Sequence, residues 1–343
     1  MVMPGKRGRC AVGMGLAALC CVLAGPLARK AAGADGPPLV LERTIALPGV
    51  SGRIDHMAVD LRRGHLFIAE LGNGSVDVVD LGSGKAIHRI KGLKDPQGVG
   101  YSPEADLLAV ASAGDGSVRM FRGEDFAPTG AVALGDDADN VRLDVKTGRM
   151  LVGYGNGGLA VLDLPTRSRV VDARLPAHPE GFQFDPVSGR AYVNLPDAAL
   201  IAVVDVASGK QVATWPAPKG LRGNFPLALD AAQGVVATVF RNPARLVLLD
   251  AQNGSVTASL PTCGDADDVF FDTKRRRIYV SCGEGVIDVF QGDANDIHPR
   301  ARIQSHAGAR TSLFVPELNL LFVAGRAGLF GSDASLLVFR PAP

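Results

Sequence analysis

Four carboxylates stand at one recurring offset in this chain. Asp55, Asp139, Glu180 and Asp267 each lie five residues before an acid that ends an apolar run, at Asp60, Asp144, Asp185 and Asp272. In three further units the same offset holds Gln97, Phe225 and Thr311. The next position adds His56, Asn140, Asp268 and Ser312, and Arg53, Arg222 and Arg310 come just before. Carboxylates gathered in one concave mouth could hold a hard divalent cation such as Ca²⁺, or engage a cationic or polyhydroxy ligand. A held metal could in turn polarise a carbonyl or activate water, which is the chemistry of a hydrolase or lactonase. Two blander readings compete. Asp and Asn are favoured in turns for their bonds to nearby amides, and the three arginines could neutralise the acids internally and leave no metal site.

Other chemistry is not indicated. The six histidines are scattered singly, with neither a His-x-x-x-His pair nor a haem-attachment motif, and no Gly-x-Ser-x-Gly elbow is present. Gly82-Ser83-Gly84-Lys85 resembles the end of a phosphate loop, but Ala86 follows and no helix does, so a hairpin turn is expected. The sequence thus points to no cofactor beyond a divalent cation.

What must position these residues is a repeat. Apolar runs end at Asp60, Ser102, Asp144, Asp185, Asp230, Asp272 and Pro316, at spacings of 42, 42, 41, 45, 42 and 44 residues. A second ladder, VDVVD, VRMF, LAVLD, IAVVD, LVLLD, IDVF and LLVF, keeps phase with the first. β-branched segments lie between them, each followed by turn residues. Each unit therefore reads as a four-stranded antiparallel meander. Such a sheet cannot bury both faces alone and must stack on its copies.

The expected fold is all-β, a seven-bladed β-propeller. Its seventh unit stops after a third strand, and 39–47, a strand without a blade of its own, can complete it and close the ring. The acids Asp60, Asp144, Asp185, Asp230 and Asp272 are expected to be turn caps. Glu70, Tyr154, Asn194, Arg241 and Arg326, near the ends of second strands, are weaker candidates for the ligand face.

IYVS and AYVN approximate a tetrapeptide, and on those segments residues 43–341 resemble the YVTN β-propeller repeat family of YncE-like proteins. The resemblance implies an exported seven-bladed propeller and carries no defined active site. Its nucleic-acid-binding members find no counterpart to a basic patch here beyond residues 274–277, which read as a solvated turn.

Residues 1–34 look like a secretory signal peptide. Lys6, Arg7 and Arg9 precede an apolar stretch, and Ala32-Gly33-Ala34 offers a cleavage site. An uncleaved anchor is the alternative, but Gly25-Pro26 favours cleavage, leaving residues 35–343 as one propeller domain without a transmembrane segment. Cleavage removes five positive charges and no negative ones, so the formal +1 becomes −4, which does not favour nucleic acid. A periplasmic or secreted monomer is expected, partnered by a small polar ligand, a cation or an envelope protein. Of five cysteines only Cys263 and Cys282 remain, and an oxidising compartment predicts a bridge between them, with Cys282 opposite Asp267 in the sheet.

Overall fold

Alternation along a single strand shows how the molecule is built. On His65–Glu70, Leu66 and Ile68 point into one apolar cluster while Phe67 and Ala69 point into another. All four are fully buried, because successive strand side chains face opposite sides and both sides are covered. The computed structural model describes Met1 and residues 36–328 and 333–343. Apart from Met1, the expected signal peptide lies outside the described residues.

Seven separate antiparallel sheets of four strands form a seven-bladed β-propeller. From blade 1 to blade 7, the first strands are Met57–Asp60, Pro96–Ser102, Ala138–Asp144, Phe182–Asp185, Arg222–Asp230, Ala266–Asp272 and Ser312–Val315. Each touches the next, and the last touches the first, so they line the centre of a closed ring. The seven hydrophobic clusters each lie between two adjacent blades. Burying one Leu, Ile or Phe in such a cluster contributes about 1.5–3 kcal/mol. Among the described residues no helix is long and apolar enough to cross a membrane.

Closure follows the expected route. Leu39–Leu47 pairs antiparallel with Ala334–Pro341, Ile45 opposite Leu336, and supplies the outer strand of blade 7. Leu39, Ile45 and Leu47 are buried there. The turn-cap expectation is also met. The carboxylates of Asp60, Asp144, Asp185, Asp230 and Asp272 accept backbone N–H bonds from residues two or three further on, at 2.9–3.2 Å. Ser83 N–H bonds Asp80 in the same way, which makes the Gly82 to Lys85 segment a hairpin turn.

The basic run at 274–277 departs from expectation, for it is not a solvated turn throughout. Arg277 is buried, donating to the carbonyls of Pro38, Ala342 and Pro343, and Arg275 bonds Asp272 and Ala342. A planar guanidinium with five donors can hold several carbonyls at once, so blade 6 grips both partners of the closing strand pair.

Cys263 and Cys282 form a disulfide, with Cα atoms 5.9 Å apart. The register differs by one residue from expectation. Cys282 pairs with Ala266, not Asp267, because Asp267 is the extra residue of a β-bulge.

Candidate functional site

The bulge at Asp267 recurs around the ring, and it decides where the candidate side chains point. In blade 3 the register jumps from Ala138 opposite Tyr154 to Val141 opposite Val152, so Asp139 and Asn140 together oppose Gly153. Asp55 N–H and His56 C=O both bond Ala69 in blade 1, and Glu180 and Gly181 share Asn194 likewise in blade 4. An extra residue breaks the strict alternation, so neighbouring side chains can leave the sheet on the same side. The bulges also touch the next blade: His56 N–H bonds Gln97 C=O, and Gly181 N–H bonds Phe225 C=O.

Asp55, His56, Asp139, Asn140, Glu180, Asp267 and Asp268 are thereby brought to one small cavity, with Arg53, Arg142 and Phe225 in its wall. Its free volume is about 30 Å³, room for one or two water-sized groups. Asp55, Asp139, Asn140 and Asp268 are buried, while His56, Glu180 and Asp267 keep partial exposure. Arg222, by contrast, is exposed and is not among the residues lining this space.

Arginines interleave with the acids. Arg53 approaches Asp55 at 2.7 Å. Arg310 lies 3.0 Å from Asp267 and also donates to Asp265 at 2.8 Å. Arg241 reaches across from blade 5 to Asp267 at 2.5 Å while lying 3.7 Å over the Phe225 ring. Among the described residues Arg142 forms no ion pair, and its Nη1 donates to the Val141 carbonyl at 2.8 Å. Asp268 accepts the Ser312 N–H at 2.7 Å. Thus the mouth is a lattice of both charges rather than a uniformly acidic surface.

Asp139 lies between two imidazoles, with His56 Nε2 3.9 Å from Oδ1 and His178 Nε2 4.0 Å from Oδ2. Burial pushes the Asp55 and Asp268 carboxyls well above the usual range, with Asp267 adding to the effect at both. Burial and then Asp139 raise Glu180 to about 7. Burial lowers His56. At His178 burial also opposes the charge, but Asp139, the Gly155 carbonyl and Asp137 outweigh it and hold the imidazolium to about 9. Asp55, Asp268 and Glu180 therefore hold their protons because burial penalises the carboxylate and neighbouring acids add to that penalty.

Two buried oxygens of the cavity residues, Asp139 Oδ1 and Asn140 Oδ1, accept no hydrogen bond, and Asp55 Oδ2 has only the Arg53 ion-pair contact at 2.7 Å. Asp55, His56, Asp139, Glu180, Asp267 and Asp268 are the side chains of the cavity wall that could ligate a metal. Among the described residues, however, no three His, Cys, Asp or Glu side chains come together closely enough to hold one.

His178 and Arg142 were not singled out from the sequence. His178 precedes the offset position by two residues and Arg142 follows it by three, so a wider window around each anchor would have included both. Of the weaker candidates, Arg241 reaches the site. Tyr154 bonds Asp172 instead, Asn194 bonds Phe225 and Pro226 carbonyls, and Arg326 packs near Gly308.

No family profile matches the chain, and no curated protein matches it in sequence. Its fold is similar to that of known structures. A chain of the structure titled "Crystal Structure of Mitotic Checkpoint Complex" superposes with a TM-score of 0.76 at 14% identity, over 95% of this chain and 99% of that one. A chain of Kuenenia stuttgartiensis hydrazine synthase gives 0.72 at 15% identity, over 84% of this chain and 98% of that one. Identities so low speak to architecture alone, and the architecture they share with this chain is the β-propeller.

Proposed function

We propose that this chain is an exported propeller of the YVTN, YncE-like type, acting as a binding module through the mouth at which its bulged first strands begin. The observation that carries this is the convergence of Asp55, Asp139, Glu180, Asp267 and Asp268, from four blades, on one cavity. Turn chemistry accounts for acids at the far ends of these strands. It does not require five carboxylates to be desolvated side by side, where each disfavours ionisation of the others. A cationic or donor-rich ligand relieves that cost by replacing bound protons. A metal-dependent hydrolase is the weaker reading, since among the described residues no three His, Cys, Asp or Glu side chains come close enough together to hold a metal.

Thermal unfolding of the protein, measured with Ca²⁺, Mg²⁺, Mn²⁺, Zn²⁺ and organic cations, tests this directly. A saturable rise in Tm that is lost in the Asp139→Asn, Asp267→Asn double variant supports it. Unchanged melting across the panel, in parent and variant alike, removes it. Recovery of the protein from the periplasmic fraction would support export.

A further inference from the structure

Resting on that reading, we infer that the mouth is a receptor for a primary alkylammonium group, the charged end of a small amine. The oxygens left without hydrogen bonds at the cavity, Asp55 Oδ2, Asp139 Oδ1 and Asn140 Oδ1, belong to side chains that are 1%, 6% and 2% exposed. Asp55 Oδ2 meets the Arg53 guanidinium at 2.7 Å, which leaves Asp139 Oδ1 and Asn140 Oδ1 as the two acceptors without a partner. A buried acceptor without a partner is costly, and two on neighbouring residues of one cavity wall call for a group that brings donors. An ammonium group carries three N–H donors and no acceptor.

Size and geometry separate this ligand from its rivals. About 30 Å³ admits a head of water-like size, with its alkyl tail running out of the mouth, but no planar guanidinium. A hard divalent ion needs six or more oxygens at close range, and three potential ligands do not come together here. A quaternary ammonium is too bulky and offers no N–H. An anion would meet the Asp139 and Asn140 oxygens, so Arg53 and Arg142 in the wall do not make this an anion site.

The test is titration calorimetry of the protein at pH 8 and constant ionic strength with n-butylammonium, tetramethylammonium, guanidinium, Ca²⁺ and Mn²⁺ chlorides. Saturable binding of n-butylammonium is expected, with tetramethylammonium and guanidinium at least about tenfold weaker, the worth of one charge-assisted hydrogen bond. Asp139→Asn should weaken it by about the same factor. Should that variant not fold, Asn140→Asp adds a charge beside the head and should tighten binding instead. Putrescine binding more tightly than Nα-acetyl-lysinamide would assign a free amine, and the reverse order a lysine side chain. Equal binding of tetramethylammonium overturns the inference. Binding of Ca²⁺ or Mn²⁺ alone overturns it too while leaving the mouth a binding site, and binding of no cation removes both.

Discussion

Arg340 and Glu42, 298 residues apart in the chain, form a two-pronged ion pair across the strands that close the ring. The pair is largely exposed, and exposed pairs contribute about 0–1 kcal/mol. Apolar burial on the other face of the strand matters more. Leu47→Ala should cost about 2–5 kcal/mol, and Arg340→Ala about 1 kcal/mol or less, in urea unfolding. Deleting residues 39–47 should produce aggregation or a large fall in Tm, because Ala334–Pro341 would become an open edge. Equal effects of the two point substitutions would show that the strand is held by its charges.

Reduction of the Cys263–Cys282 bridge should lower stability by about 3 kcal/mol, the chain-entropy value for a sequence separation of 19. Urea midpoints of the parent and of the Cys263→Ala, Cys282→Ala variant provide the measurement. Cys282 faces Ala266, next to the bulge that aims Asp267. Loss of the bridge should therefore weaken ligand binding at the mouth as well as the fold, and intact binding would separate the two.

Glu180 gives the mouth a pH dependence opposite to that of a salt-bridged acid. Its folded pKa of about 7 lies above the ordinary value near 4.5, so the native state binds the proton more tightly than the unfolded chain does. Stability is then highest below about pH 4.5, falls as pH rises towards 7, and levels off above it. Glu180→Gln should stabilise the protein at pH 8 by no more than about 3 kcal/mol and leave it nearly unchanged at pH 4. Denaturant melts at both pH values check this, and a stabilisation equal at both would show a cause other than ionisation.

Gly98 has no room for a side chain. A Cβ there would stand 1.9 Å from the Asp139 carbonyl oxygen of the next blade, a backbone atom that cannot swing aside. Gly98→Ala should cost about 1–3 kcal/mol by overpacking and displace Asp139. The expected signature is a fall in Tm together with weaker cation binding. A variant with the parent's Tm and affinity would mean that the blades separate more easily than their packing implies.

The repeat spacing and the strand at 39–47 made the ring and its closure legible, because a strand buried on both faces is a continuous apolar run, and that run recurs at the length of one blade. The mouth was only partly legible. Offset counting found Asp55, Asp139, Glu180 and Asp267, since equivalent positions recur in equivalent places. It failed for Arg222, which starts a long first strand and stays exposed. It also missed Arg142 and His178, which are brought in by bulges and by contacts between blades. A bulge inserts one residue and redirects its neighbours, and no period in the sequence records that shift. The same blindness placed Cys282 opposite Asp267 instead of Ala266.

Because every apolar cluster is shared by two blades, each wall between rooms belongs to both tenants, and no blade owns an interior that would survive alone. An open stack of repeats can lose its end unit at the expense of one interface, whereas here the loss of any blade exposes two. The wall between blades 7 and 1 contains Ile45 and Leu47 from one side of the chain and Leu336 and Val338 from the other. It cannot exist until those distant segments have met, so a partly synthesised or partly threaded chain carries an unfinished wall throughout. Contacts of such long sequence separation make folding slow. They also make the finished molecule an arch that stands or falls in one step, in which the amine-sized hollow at its centre exists only when the whole ring does.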